Sequence, residues 1–537
     1  MTIINQSNIQ NGDTFVSDVC IVGSGMSAQT LAATINEFNN KKIIIIESGK
    51  IDFEKNVQLL NNHHNVGIAF KKNFENRIRK LGGSANLWAS QLMMLEPSDI
   101  KDRSWIADSL SWPIQYEDLK KYYTEAIKLI YEDYFKSVNL FDFKSDKKYI
   151  SFLEEEFIKF DIFKLDNSFW PGKIEKFNKN SKFTKKLLNS KNIKFFEFFT
   201  TTKIHVNTET QFVENLEIIS NDKKCKIKSN IFVLACGAIE NARILLNNTK
   251  HNKILQNNNI GKYFMDHPRT NLGTVKSNKK LSLSTLFGIK KMHYDFQHVV
   301  RLSEKTQQDK KILNAHIYLD PKFQNKDNFF FENFLVELKK IIKLNGIPKL
   351  YFKNFSLKIL LEQIYLKIPR QLSNSLLNNV LLKFLERKNY YLSFSEIDIV
   401  YHGEQCPNFQ SKVTLSPDTD YLGQNIAIVD WKLNDIDYKT QNVCLNLFSE
   451  KFKEHKDLIF VENKKKEIED CSHHSGTTRM SFDKTSGVVD VNCKVFDTKN
   501  LYISGNSVFR TSGSVNPGLT NVALSIRLGK YINELIK

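Results

Sequence analysis

The chain has 537 residues, 41% apolar and 25% charged, a balance that suits globular domains and excludes a disordered or collagen-like chain. Lys and Arg outnumber Asp and Glu by 77 to 59, a formal net charge of +18. Such an excess points to an anionic partner or substrate, unless it follows from a coding bias toward Asn, Lys, Ile and Phe.

Seven widely spaced cysteines with no Cys-x-x-Cys pair argue against a disulfide framework and a zinc site, so no metal is expected. Cys20 and Cys236 sit in apolar runs and read as small core residues. The opening MTIINQSNIQNGDTF lacks a basic start followed by an apolar stretch, and no window approaches 18 consecutive apolar residues. The expectation is a cytoplasmic chain with neither a secretory signal nor a spanning helix.

The first informative segment is DVCIVGSGMSAQTLAATINEFNNKKIIIIESGK. A buried strand, Val19 to Val22, runs into a glycine turn, a helix through Phe38 and a second strand, Ile43 to Ile46, which ends in Glu47. In this βαβ unit Gly23 allows the tight turn, Gly25 lets the backbone approach a pyrophosphate, and Ala28 permits close helix–strand packing. The helix N-terminus offers free N–H groups to phosphates. Glu47, 24 residues after Gly23, is placed to accept ribose hydroxyls. A carboxylate there disfavours a 2′-phosphate and argues for FAD or NAD over NADP.

Next, RIRKLGGSANLWAS sets Gly82 and Gly83 after a basic cluster, with Asn86 and Trp88 following. Paired glycines allow close backbone approach to a flat or anionic ligand, although a surface turn has the same composition. Ser111 to Ile130 reads as a proline-started amphipathic helix with Leu119, Tyr122, Tyr123 and Ala126 on its core face. Residues 192 to 234 alternate like several strands and end in IFVLAC before Gly237, after which NARILL starts a helix. That junction returns the chain to the nucleotide sheet. Residues 393 to 431 alternate again and read as a separate antiparallel sheet.

Between these lies 329–390, rich in Phe, Leu, Ile and Lys, with eleven basic against three acidic residues from Val336 to Tyr390. Its apolar residues recur at helical spacing with lysines between them, and no stretch is long enough to span a bilayer. Two readings stay open: a helical insertion docked peripherally on an anionic membrane, at the inner face, or an internal lid with solvated lysines.

The C-terminal stretch contains CSHHSGTTRM and SVNPGLTNVALSIRLG. His473 lies beside a Gly-Thr turn, and Asn516-Pro517-Gly518 precedes a helix. A histidine and an amide, each beside a backbone turn, can converge on one oxygen; histidine transfers protons near neutrality and asparagine only hydrogen-bonds. The N–H groups at the start of the last helix can face an electron-rich ring.

Five separated motifs, in order, resemble the glucose–methanol–choline (GMC) family of FAD-dependent oxidoreductases. They are VGSGMSA with IIIIESG, RKLGGSANLW, WPIQYEDLKKYY, VLACGAIENARILL, and HHSGTTRM through NLYISGNSVFRTSGSVNPGLTNVALSIRLG. The EQCPNFQSKVTLSPDTDYLGQ block is similar to the family as well, and the variant looks nearest to the pyranose oxidase and sugar dehydrogenase branches.

The resemblance implies an α/β + β fold: a Rossmann-like FAD-binding domain with a substrate domain built on an antiparallel sheet and helices. The FAD domain would be discontinuous, from 14–100, 190–270 and 470–537, with 101–189 and 271–469 forming the substrate domain. By the same resemblance His473 is the active-site base and Asn516 its partner. Gly23, Gly25, Ala28, Glu47, Gly82, Gly83, Asn86, Gly505 and Asn506 would contact FAD, with Pro517 and Gly518 close to the ring. The implied reaction is oxidation of an alcohol, of a sugar or polyol, with His473 taking the hydroxyl proton as the carbon delivers hydride to flavin N5.

His474 competes for the base role, and the spacing to Gly476-Thr477 favours His473. His267, in MDHP, reads as structural. Leu87 occupies the position at which some pyranose oxidases tether FAD through a histidine, so the FAD is expected to be non-covalent. Arg510 replaces the family's usual proline, and the sequence does not choose between a cation near the flavin or substrate and a solvent-facing side chain. The alternative function is a membrane-surface flavoprotein acting on a lipid-linked sugar, sterol or fatty alcohol, or one with only an interaction role. No nucleic-acid partner is expected, since neither an aromatic–basic RNA-binding module nor a zinc finger is present. The electron acceptor is not readable from the residues.

Overall fold

The apolar run Val19–Val22, at most 4% exposed, forms the end of the strand Thr14–Val22. Its unbroken hydrophobicity follows from its place inside a parallel arrangement covered on both faces. In the computed structural model, which describes residues 2–38, 41–69, 76–88, 91–106, 111–130, 157–164, 177–282, 296–322, 393–453, 458–465 and 467–537, this strand lies between Ile43–Glu47 and Lys223–Leu234, parallel to both. Ile43–Glu47 pairs in turn with Ile193–Glu197, and Thr2–Ile4 closes that edge. The basic segment 329–390 lies outside the described residues, and so do both readings of it.

The twelve-residue strand Lys223–Leu234 carries two neighbours along its other edge. Its first half pairs antiparallel with Val213–Ser220, which continues to Thr200–Val206. Its last residues, Phe232–Leu234, pair in parallel with Leu501–Ile503. That short contact brings the C-terminal region back beside the first glycine turn.

The first helix, Met26–Phe38, and the last, Gly518–Leu535, cross closely: a Cβ on Gly529 would meet Thr34 Cβ at 2.8 Å. The amphipathic helix begins at Tyr116 rather than beside Pro113, and runs to Ile130. Leu119, Tyr123 and Ala126 are fully buried, as their stripe predicts, and Tyr122 is half-buried. Tyr123 Oη shares a proton with Thr520 Oγ1 of the last helix at 2.8 Å.

The second sheet has seven antiparallel strands, in the order 458–462, 269–282, 393–403, 315–322, 296–302, 157–164 and 91–92. The expectation of one separate sheet over 393–431 is therefore corrected. Ser393–Gly403 sits in this seven-stranded sheet, whereas Lys412–Thr419 and Asn425–Asp430 pair with each other and with His63–Asn65. The split falls where Glu404 leaves the strand to form a buried bidentate pair with Arg103. Among the described residues no helix is long and apolar enough to cross a membrane.

Candidate functional site

A cavity of about 640 Å³ opens at the carboxyl ends of the parallel strands, where Val22, Glu47 and Ala235 reach its wall, and extends to the second sheet at Arg269, Tyr318 and His402. Crevices at the carboxyl ends of parallel strands are the usual ligand sites of such sheets.

At one end the wall is mostly backbone. Gly23 has φ +101°, and a Cβ there would stand 2.5 Å from the Ala235 carbonyl oxygen, so only glycine fits. A Cβ on Gly25 would meet nothing nearer than Gly82 O at 3.9 Å, which leaves open space above the turn. The two glycine motifs touch through main chain: Gly82 N–H donates to Ser24 O at 3.1 Å. Gly83 lines the cavity, whereas Gly82, Asn86 and Ala28 stand behind the wall. Asn86 braces the second turn by donating to Leu81 O at 3.0 Å and Gly83 O at 2.8 Å.

Glu47 is 5% exposed and reaches the cavity wall. Its Oε2 accepts from Ser24 N (3.1 Å) and Ser24 Oγ (2.6 Å), and its Oε1 from Gly49 N (2.8 Å). The carboxylate thus also ties the glycine turn to the end of its neighbouring strand. Burial raises its pKa, against the lowering effect of the Ser24 hydroxyl, the Gly49 amide and Arg79.

Arg79, in the basic cluster before Gly82, is neutralised internally. Glu240, on the helix Ala238–Thr249, pairs with Arg79 at 3.0 Å and Arg243 at 2.9 Å. Burial alone would raise its carboxyl, but Arg243, Arg79 and Arg77 hold it at about 2. Cys236, expected in the core, lines the cavity instead and directs its thiol to Val22 O.

The far end is built from imidazoles. His473 Nδ1 lies 3.1 Å from His267 Nδ1, and His267 Nε2 lies 3.0 Å from Gly513 O. A carbonyl only accepts, so His267 carries its proton on Nε2. Burial pushes the His267 pKa down to about 4, so the ring is neutral and its Nδ1 is an acceptor. The proton between the two rings therefore belongs to His473 Nδ1. His473 Nε2 is left with its lone pair. His267, expected to be structural, in this way sets the tautomer of His473.

Asp266 Oδ1 accepts three backbone N–H groups: His267 at 2.6 Å, His473 at 3.1 Å and Cys471 at 3.2 Å. One carboxylate oxygen therefore holds both halves of the histidine pair. Burial, with Asp470 nearby, raises Asp266 to about 7 against those three amides. His402 and His316 stack behind the pair at 4.3 Å between centroids, and His402 is 5.8 Å from His473. His474 is 8% exposed and packs on Phe264, and burial pushes it to about 3, which makes it a poor base near neutrality.

Asn516, Pro517 and Gly518 reach the same cavity at the start of the last helix, and Gly505 and Asn506 line it between the two ends. Asn516 Nδ2 donates to Gln91 Oε1 at 2.8 Å, and Gln91 Oε1 also accepts from Tyr318 Oη at 3.4 Å. Leu87, on the wall, is 42% exposed. Arg510 takes neither of the places open to it: it is 3% exposed, is absent from the cavity wall, and donates through Nη1 to Met480 O at 2.7 Å.

The sequence reading missed Gln91, Asp266, Arg269, His316, Tyr318 and His402. Of these only His402 lies in a segment read as alternating, and that pattern alone does not say which polar residue faces a cavity.

Residues 407–525 match the family GMC oxidoreductase through its C-terminal domain. Pyranose 2-oxidase of Lyophyllum shimeji is 42% identical over 65 residues, 12% of this chain and 10% of that protein. 2-Methyl-1,2-propanediol dehydrogenase of Mycolicibacterium austroafricanum is 30% identical over 136 residues, 25% of this chain and 24% of that protein. The matches thus span about a tenth to a quarter of the length of these curated relatives. Among solved structures, an FAD-dependent oxidoreductase from Chaetomium thermophilum superposes with a TM-score of 0.54 at 13% identity, covering 97% of this chain and 99% of that one. Residues 407–525 thus match the C-terminal domain of GMC oxidoreductases, and the chain shares the fold of the solved FAD-dependent oxidoreductase.

Proposed function

We propose that the chain is an FAD-dependent oxidoreductase that oxidises an alcohol group of a sugar or polyol. The observation that carries this reading is a single cavity that joins the Gly23–Glu47 turn to His473 and Asn516. The residues fit FAD: open space lies above Gly25, and the buried Oδ1 atoms of Asn506 and Asn516 have no hydrogen-bond partner among the described residues. The Gly23–Gly25 turn and the first helix would hold the pyrophosphate, Glu47 the ribose, and the Pro517–Gly518 helix start the ring. Bound there, FAD supplies the acceptor for the hydride that leaves the carbinol carbon.

His473 Nε2 takes the hydroxyl proton, while its Nδ1–H stays on the His267 acceptor. The imidazolium that forms keeps the same ring orientation, because the second hydrogen bond of His267 is anchored on a main-chain carbonyl. Asn516 Nδ2 has one proton engaged by Gln91 and a second available to steady the developing alkoxide. The product is a carbonyl compound. In this reading 14–100, 190–270 and 470–537 form the FAD half, with 101–189 and 271–469 around the substrate. Leu87 offers no nucleophile, so FAD is held non-covalently.

The names of the relatives, a pyranose oxidase and a diol dehydrogenase, support a polyhydroxylated substrate. An anaerobic flavin-bleaching screen of sugars, polyols, sterols and fatty alcohols tests it, followed by the rate with His473→Ala. The expected loss is ~10²–10⁴-fold with a confirmed substrate, and a loss under ~10-fold removes His473 from the base role. Acid precipitation should release all the flavin into the supernatant; colour kept in the pellet would contradict non-covalent binding.

A further inference from the structure

We propose that the alcohol substrate carries an anionic group, a carboxylate or a phosphate ester, and that Arg269 is the residue that binds it. The inference rests on the reading of His473 and Asn516 as the oxidising end of the cavity, and names the substrate class for that end.

Arg269 opens the strand Arg269–Ser282, two residues after His267, and is in register with His402 on the adjacent strand. His402 is in register with His316 on the strand beyond. One edge of the second sheet therefore presents a guanidinium and two imidazoles side by side. Arg269 is exposed and lines the cavity, its guanidinium carbon 6.0 Å from the centroid of the Tyr318 ring. Tyr318 and Asn516 meet on Gln91 Oε1, so Arg269 stands one phenol ring away from the amide that faces the alkoxide.

Glu469 bridges Arg269 through main chain only, with its side chain exposed. Among the described residues no carboxylate forms an ion pair with Arg269. Three of the acids nearby are engaged elsewhere: Asp266 with three amides, Glu404 with Arg103, and Asp320, on the same wall, with partners of its own. The imidazoles beside it are buried and neutral, and their geometry gives them no negative charge to offer. A guanidinium stays ionised at any working pH, and its planar fork matches a carboxylate or phosphate with two parallel N–H bonds. A cation left unpaired on the wall of a substrate cavity is completed by an anion that enters with the substrate. The net charge of +18 raises the local concentration of such anions at the mouth.

The test compares glucose, glucuronate and glucose 6-phosphate as anaerobic reductants of the FAD-loaded full chain. The wild type should reduce ~10–100-fold faster, in kcat/KM, with at least one charged sugar than with glucose, and the advantage should shrink with salt. Preference for glucuronate or for glucose 6-phosphate alone decides between carboxylate and phosphate. Arg269→Gln should lose that advantage, its rate falling ~10–100-fold further on the charged sugar than on glucose, and Arg269→Lys should restore part of it. Equilibrium dialysis of labelled glucuronate or glucose 6-phosphate with the slow His473→Ala variant should reproduce the same ratio as a Kd.

Glucose outrunning both charged sugars overturns the proposal, as does reduction by none of the three. An equal loss in Arg269→Gln on charged and neutral sugars, with a shifted flavin potential, would assign the guanidinium to the cofactor and overturn it as well. His473→Ala should slow all three sugars alike. If that variant stays fast while Arg269→Gln still discriminates, the base assignment fails and the anion site stands.

Discussion

The two ends of the cavity are made of different material. The Gly23 end is built around main chain: two glycine turns in contact, braced by a carboxylate holding three donors and a buried Arg79–Glu240–Arg243 group. The far end is side chain: four imidazoles, at 267, 316, 402 and 473, from four separated stretches, held by one aspartate oxygen and one carbonyl. A backbone cradle is sensitive to added atoms and indifferent to proton positions. A pair of hydrogen-bonded imidazoles has the opposite sensitivity, because its geometry depends on which nitrogen carries each proton.

The sharpest way to break the comparison is a single methyl group at the Gly23 end. Gly23→Ala sets a Cβ 2.5 Å from a backbone oxygen at φ +101°, which costs about 3 kcal/mol or more. The expected result is a large fall in Tm and loss of FAD from purified protein; a variant that keeps both would show that the turn can shift.

At the far end a change of similar size should leave the cradle intact. His267→Leu removes the acceptor of His473 Nδ1–H and releases the tautomer. Flavin content should be unchanged while the reduction rate falls ~10–100-fold and the acidic limb of its pH profile moves. A rate loss without any change in the pH profile would reduce His267 to packing.

The smallest effect concerns stability against pH. His316 is fully buried, and burial first, then His267 beside it, depresses its pKa from 6.5 to about 3. Below pH 6.5 the unfolded chain takes up a proton that the folded one refuses, so stability present above 6.5 is lost as pH falls. At pH 5 the loss from this residue is about 2 kcal/mol. His316→Phe should shrink the difference in urea midpoint between pH 7.5 and pH 5. An unchanged difference would mean that His316 is not the buried neutral ring described.

How much of this was legible follows the same division. Gly23, Gly25 and Glu47 announced their site because a tight turn, a close approach and a carboxylate at a strand end have local requirements. His473 and Asn516 were legible through their neighbouring turns and the family motif. His402 was not, because in SFSEIDIVYHG it is one of several polar residues on an alternating strand, and its pairing with Arg269 places it beside the cavity. Asp266 was equally hidden: its role is to accept amides from residue 267 beside it and from 471 and 473, far along the chain. Arg510 drew notice as a departure from the family, yet its buried bond to Met480 O places it behind the site.

Sequence by itself determined the βαβ unit, the amphipathic helix and its buried stripe, and the two separated motifs that reach the cavity. Each rests on spacing within a few residues, where the period of a helix or strand and the needs of a glycine turn leave little choice. Tertiary structure alone decided that Ser393–Gly403 joins the seven-stranded sheet, that His267 fixes the proton on His473, and that Arg269 lines the cavity. Those outcomes depend on register and on which distant side chains meet, and a one-residue change of register turns every side chain of a strand to its other face.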